Sequence, residues 1–409
     1  MSLRSISSGL AFVAIISNPL FAQQTPTPDG LKQFTGASGP ANGASAPDGL
    51  SATFSPDKRL PGAMSAFLPT LFASSHASNL LLLKNGDLLC FWFSGSQEGQ
   101  SNVGIVVSRL PKGSMTWQKT ILIDQDPAKS YQNPVPYQAI NGDVWLIHTA
   151  QSAGKGQADS QVLKVVSKDN GKTWGKPSVL FDKAGSYTRQ RIVTGDHGEL
   201  LLPLYYSTSS GITNGADTNY SVVKISTDAG ANWKECVVPQ SDGMVQMSIV
   251  KLAPAKYVAF YRSRFADKIH HSTSTDGCKW TAPKPTSLPN NNASIQATGL
   301  SDQSIAMVFN NTSGHKPGHI PQTGERVPLS VALSSDAGET WKYVRDMETK
   351  GSYPTAGTKE REEYSYPSIL QLPDGKIVAS YTYRRIGIKT VLMNEGWIKG
   401  GTTTGEYKP

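Results

Sequence analysis

SKDNGKTW at Ser167–Trp174 and SSDAGETW at Ser334–Trp341 are two copies of one phrase, S-x-D-x-G-x-T-W. STDAGANW at Ser226–Trp233 keeps it with Asn232 in place of Thr, and STDGCKW at Ser274–Trp280 is one residue short. SRLPKGSMTW at Ser108–Trp117 is a degenerate copy that retains the Ser and the Thr-Trp. The phrase has the chemistry of a hairpin turn. Its Asp carboxylate can accept hydrogen bonds from the N–H groups of its own turn, its Gly supplies a positive φ, and its Trp packs under the next strand. Copies spaced about 50 to 60 residues apart imply one supersecondary unit repeated along the chain.

A second pattern counts the units independently. Short turns sit between apolar runs at Asn85-Gly86, Asn141-Gly142, Asp196-His197-Gly198, Pro254-Ala255, Asp302-Gln303 and Asp374-Gly375. Each reads as a β-hairpin with short, mostly buried strands. No segment sustains a 3.6-residue apolar period, so helices are expected to be few. Six hairpins, one per repeat, predict an all-β chain folded as a six-bladed β-propeller, with seven blades as the main competitor. A single barrel or sandwich has no need of a turn phrase recurring at this interval.

Bulk properties narrow the function. The 409-residue chain carries a net charge of +8, dispersed along its length, with no Lys/Arg run that reads as a nucleic-acid arm. Arg4, an apolar stretch from Leu10 to Ile16 and small residues ending at Ala22 read as a secretory signal peptide over residues 1–22, too short to span a membrane. Residues 23–60, rich in Pro, Gly, Ala, Ser and Thr, read as a flexible lead-in or linker, and 61–409 as the propeller. The mature protein is therefore expected to be exported, periplasmic or secreted, without a membrane span. Cys90, Cys236 and Cys278 are far apart. One disulfide is possible after export, and the sequence does not choose the pair.

From about residue 65 to 395 the repeated phrase resembles the Asp box (BNR repeat) of the sialidase superfamily. The resemblance implies a six-bladed propeller and a carbohydrate partner. It assigns the boxes no catalytic part, since they lie at blade edges away from the central site. Sialidases hold a substrate carboxylate with three arginines, attack with a Tyr activated by a Glu, and use an Asp as acid/base. By position, Arg326 in ERVPLSVALSSDAGETW and Arg262 in KYVAFYRSR match two of the arginines, with Arg264 a near alternative. Tyr366 in YSYPSILQLPDG matches the nucleophile. Three positions depart. His76 stands where the first arginine is expected, Gln246 where the Glu is expected, and SGSQEGQSN offers only Glu98 for the Asp. In this the chain looks more like the broad group of bacterial sialidase-like Asp-box proteins.

Arg262 and Arg326 can clamp a carboxylate through paired charge-assisted hydrogen bonds. Tyr366 needs a base or a positive field to act as a nucleophile, since a phenol ordinarily ionises at roughly 10. Glu363 can supply the base if its loop folds inward. His76 is read as an acid, a base or a hydrogen-bond donor near neutral pH, and Glu98 as the acid of the cleft. Gln246, Arg189, Arg191, Asn133, Asn291, Asn311, Tyr364, Tyr383, Arg384 and Arg385 are candidate lining residues. Trp92 and Tyr261 read as core, and His270-His271 as a solvated pair at a strand end. No metal cluster, phosphate loop or Ser-His-Asp signature is present, so no cofactor is expected. These residues predict an exo-acting glycosidase for a terminal acidic sugar, sialic acid or a relative. A lyase on a uronate glycan, using His and Tyr, and a non-catalytic glycan-binding propeller are the alternatives.

Overall fold

Each of the six expected turns joins the innermost strand of an antiparallel sheet to its second strand. Four carry a glycine with φ between 82° and 92°, at Gly86, Gly142, Gly198 and Gly375; Ala255 and Gln303 take the same left-handed region without one. The computed structural model describes residues 50–207, 218–314, 323–351 and 362–409. The expected signal peptide (1–22) and most of the expected lead-in (23–60) lie outside the described residues.

The sheets make a six-bladed propeller. Blade one runs Ser74–Leu82, Leu88–Gly95, Gly104–Leu110, Ile121–Asp124, and blade two Lys129–Gln138, Val144–Ser152, Gln161–Ser167, Ser178–Phe181. In blade three the inner strand is broken into Ser186–Thr188 and Val193–Thr194, followed by Leu200–Tyr206, Tyr220–Ser226 and Lys234–Val237. Blade four runs Met244–Ala253, Lys256–Ser263, Lys268–Ser274, Lys284–Pro289, and blade five Gln296–Gly299, Ile305–Asn310, Leu329–Ser334, Tyr343–Glu348. Blade six takes three strands from the C-terminal end, Tyr364–Gln371, Ile377–Tyr383 and Gly387–Met393. Its fourth is Met64–Phe67, which pairs with Gly387–Met393 and closes the ring. Ser55–Pro56 adds an edge strand, and Phe54 and Leu60 are buried, so the last residues read as a lead-in form part of this sheet.

Ring closure is reinforced by a buried ion cluster. Lys389 Nζ lies 2.8 Å from Glu348 of blade five and 3.1 Å from Asp57 of the N-terminal segment, with all three side chains at most 5% exposed. Tyr381 and Ser65 donate further hydrogen bonds to these carboxylates, so the charges are both paired and solvated by the protein.

The repeated phrases fold as expected at the turn. In the first full copy, Thr173 N–H donates to Asp169 Oδ1 at 2.8 Å, its hydroxyl to Oδ2 at 2.6 Å, and Gly171 N–H to Ser167 Oγ at 2.8 Å. The two Thr173 bonds, helped by the Ser167 hydroxyl, hold the Asp169 carboxyl far below its usual range. The tryptophans and glycines face the preceding blade rather than the next strand alone. Trp174 packs edge-on to Phe91 of blade one and Trp341 edge-on to Phe260 of blade four. A Cβ on Gly338 would stand 2.4 Å from the Phe260 ring, and one on Gly230 2.5 Å from the Trp145 ring. The boxes are therefore seams between blades. In the shortened fourth copy the seam is covalent: Cys278 is bonded to Cys236 on the outer strand of blade three. Cys90 stays free and buried.

At the opposite end of the blades the inner strands are irregular. Blades one, two, four and six each carry a break in register at His76/Asn79, Gln132/Val135, Val245/Ser248 and Ser365/Ser368. A non-glycine residue with positive φ sits in each break: Ala77, Asn133, Gln246 and Tyr366, and Asn292 stands just ahead of the inner strand of blade five in the same conformation. A bulge of this kind bends a strand and re-aims its side chains. Here the bulges surround the central axis, away from the Asp boxes.

Candidate active site

Tyr366 occupies the bulge of blade six, at φ 51° and 9% exposure. Arg262, on the last turn of the second strand of blade four, donates from Nη1 to its hydroxyl at 2.6 Å. Asn292 fixes that guanidinium by accepting from Nε at 2.9 Å. Guanidinium carbons of Arg326, Arg189 and Arg262 lie 5.3, 5.4 and 5.7 Å from the ring centre. Burial pushes the phenol up, but Arg262 and Arg326 outweigh it and pull Tyr366 down to about 8, with Glu98 opposing them. A field of arginines thus does what a neighbouring base was expected to do.

Glu363 does fold inward, yet its carboxylate serves the arginines. Oε1 accepts from Arg326 Nη1, from Arg385 Nε at 2.8 Å and from Ser365 Oγ at 3.0 Å. Burial raises this carboxyl, and Arg326 and Arg385 more than reverse it, so it stays ionised. Arg385 also donates from Nη1 to Glu98 at 2.6 Å, at the more open rim where Glu98 is 38% exposed. None of these hydrogen bonds uses Nη2 of Arg262, Arg326 or Arg385. Arg262 at the tyrosine hydroxyl, and Arg326 and Arg385 at Glu363, therefore each keep a donor that no other described residue takes.

His76 belongs to the same cluster, with its ring centre 4.2 Å from that of Tyr366. Its Nδ1 shares a 2.8 Å hydrogen bond with the Thr382 hydroxyl. Burial, then Arg385, Arg326, Arg189 and Arg262, hold it well below its usual range. It is a neutral imidazole near pH 7, not the group titrating there that the sequence suggested. Gln246, in the bulge of blade four, is buried with no hydrogen-bond partner on Oε1. Arg264 lies 6.0 Å from the Tyr205 ring and donates to Gln157 at 3.3 Å, which places it at the edge of the cluster. Asn133 sits buried in the corresponding bulge of blade two.

Other candidates turn out to be structural. Arg189 and Arg191 occupy the break in the inner strand of blade three and point into the central channel. Arg189 is 1% exposed and has all its partners within the protein. Arg191 bonds Gln296 and the Ile369 carbonyl, and lines a cleft of about 360 Å³ at the hairpin end of the channel. Tyr364 and Tyr383 are ring-packed core residues between blades five and six. Arg384 contributes its backbone N–H, 2.7 Å from the Glu363 carbonyl. Asn311 ties down the C-terminal segment through Thr403 and Tyr407, and Asn291 donates to the Glu325 carbonyl. His270 and His271 lie within the strand Lys268–Ser274, half-buried, His270 beside Asp267. The sequence reading missed Asn292, Ser365 and Thr382; a run of three Asn ahead of a strand was the only visible signal for the first. Arg385, read as a lining candidate, bonds both Glu363 and Glu98. Among the described residues no group of His, Cys, Asp and Glu is arranged to hold a metal, and no helix is long and apolar enough to cross a membrane.

Residues 86–378 match the BNR repeat-like domain family. Among solved structures, the Hadza microbial sialidase Hz136 superposes with a TM-score of 0.62 at 16% identity, over 80% of this chain and 67% of that one. A protein of unknown function from Dyadobacter fermentans gives 0.63 at 17%, over 80% and 97%. The NanB sialidase of Streptococcus pneumoniae gives 0.64 at 13%, over 84% and 71%. No curated protein sequence matches the chain. At these identities the solved structures establish a shared fold.

Proposed function

The chain belongs to the BNR repeat-like domain family, and from that premise we propose that it is an exported, exo-acting glycosidase for a terminal sugar bearing a carboxylate, sialic acid or a related acidic sugar. One observation supports the reading: Arg262 bonds the Tyr366 hydroxyl while Arg326 and Arg385 converge on Glu363, each with Nη2 unused by the other described residues. Charge-assisted donors of this kind suit a carboxylate. The arginine missing at position 76 has a replacement from the turn at Arg385. Similarity to sialidases supports the substrate class, and the cross-blade disulfide supports an oxidising compartment.

In this reading the carboxylate rests on the three guanidiniums. Tyr366 Oη attacks the anomeric carbon as the glycosidic C–O bond breaks; the bound carboxylate has drawn Arg385 away from Glu98, which takes a proton from solvent and gives it to the leaving oxygen. Water then displaces the tyrosine, with Glu98 taking the water's proton, and the sugar leaves as the free acid. Against the opposing effect of burial, Arg262 and Arg326 hold the attacking oxygen near its ionised form. Gln246 cannot relay a proton, so the field around Tyr366 must supply the activation.

The lyase alternative draws on the neutral His76 ring against Tyr366. Digestion of sialosides, Kdo-glycans and uronate polysaccharides, read by mass, separates the possibilities. A free acidic monosaccharide, lost in Tyr366→Phe, is the expected product. An unsaturated product lighter by one water would make the protein a lyase. Binding without any release would make it a glycan-binding propeller.

A further inference from the structure

We infer that Arg189 is a positioning residue that holds the Tyr366 and His76 bulges in register across the centre of the propeller. Its guanidinium forks to three other blades. Nη1 donates to the Ser78 carbonyl of blade one at 3.1 Å, Nη2 to the Pro367 carbonyl of blade six at 2.8 Å, and Nε to Ser294 Oγ of blade five at 3.1 Å. Its own carbonyl accepts from Asn79 of blade one at 3.2 Å.

The two carbonyls are not arbitrary. Ser78 follows Ala77 at φ 61°, and Pro367 follows Tyr366 at φ 51°. Both lie inside register breaks, where the ladder partner is absent. A buried carbonyl left without a donor is destabilising, and a left-handed non-glycine residue adds to the cost. A bulge with both penalties would tend to revert to regular strand, which would re-aim Tyr366 by one residue. Arg189 removes the first penalty at both bulges with one planar group. It can reach them because the inner strand of blade three is interrupted at this point. A lysine has the charge but not the fixed fork.

The inference rests on Tyr366 as the reacting group only for its functional consequence; its test needs no substrate. Tyrosine labelled with ¹³C at Cζ reports the ionisation of Tyr366, assigned by Tyr366→Phe. Arg189→Met removes charge and fork, whereas Arg189→Lys keeps the charge and loses the fork. The expected result is that both variants lose Tyr366 acidity by about threefold or more. A lysine variant that titrates like the wild type would show that only charge matters and overturn the inference. Should either fail to fold, Ser294→Ala removes one tooth of the fork without touching charge. It is expected to shift the titration the same way by less, and an unchanged titration overturns the inference.

Discussion

Arg262→Met should abolish the unusual acidity of Tyr366. A fall from roughly 10 to about 8 is ~100-fold in acid constant, or roughly 3 kcal/mol in favour of the phenolate. Arg262 is the foremost of the charges that outweigh burial, and it touches the hydroxyl at 2.6 Å. Without it, burial is poorly opposed and the phenol should return to 10 or above. At pH 8 the ionised fraction then drops from about half to about one per cent. Near-ultraviolet phenolate absorbance can follow this, because six other tyrosines are held up rather than down. Burial raises Tyr131, Tyr187, Tyr205, Tyr206 and Tyr261, and Tyr257 is pushed up to about 12. Tyr366 should be the first of these to ionise. Stability gives a second readout. Between pH 8 and 10 the unfolded chain keeps a proton that the folded protein has released, so the wild type gains stability over Tyr366→Phe as pH rises through this window. That advantage fades as pH falls through 8. A first tyrosine titrating at 10 or above, or one near 8 that survives in Tyr366→Phe, would refute the reasoning.

Three further outcomes test the frame around the site. Replacing Cys236 and Cys278 by Ser frees a 42-residue loop, which should cost about 4 kcal/mol by chain entropy, measured by denaturant unfolding. Gly338→Ala places a Cβ 2.4 Å from the buried Phe260 ring at φ 91°; it should cost about 3 kcal/mol, whereas Gly142→Ala, with open space around it, should cost only about 1 kcal/mol. Lys389→Met strands the Asp57 and Glu348 carboxylates in the closure of the ring and should cost about 3–5 kcal/mol, with a lowered melting temperature as the check.

The fold was legible because its determinants are local. Hairpin turns and Asp boxes are each written in a few adjacent residues, and both counted six units or fitted that count. What lay beyond reach was set by contacts between blades. Nothing in SYTRQRIV distinguishes Arg189, which bonds three other blades, from Arg262, which faces the Tyr366 hydroxyl. Nor does the pair Arg384-Arg385 say which guanidinium turns inward. Tyr364 and Tyr366 stand two apart, the same face of a regular strand, yet one is packed in the core and the other stands among arginines. The register break between Ser365 and Ser368 separates them, and a bulge at a residue other than Gly leaves almost no mark in sequence. The disulfide was equally hidden, since it joins two blades through an Asp box shortened to receive it.

The two neutral residues at His76 and Gln246 belong together. The resemblance expected an arginine at one and a glutamate at the other, so their joint absence leaves the local charge balance unchanged. Losing the glutamate alone would strengthen the positive field on Tyr366; losing the arginine alone would weaken it. With both gone, five guanidiniums, from Arg189, Arg262, Arg264, Arg326 and Arg385, face two carboxylates, Glu98 and Glu363, and both of these are paired to Arg385. Among the described residues, the excess positive charge then falls on the Tyr366 phenol, and an incoming anion can answer it. An anionic ligand on Arg262 and Arg326 would oppose ionisation of the phenol while completing the site. Ligand binding and Tyr366 acidity must therefore be reciprocal: an acidic sugar that fills the site should raise the phenol's titration, and binding should weaken as pH rises through 8. A neutral sugar bound at the same place would show neither effect, which makes this linkage the sharpest test of the carboxylate itself.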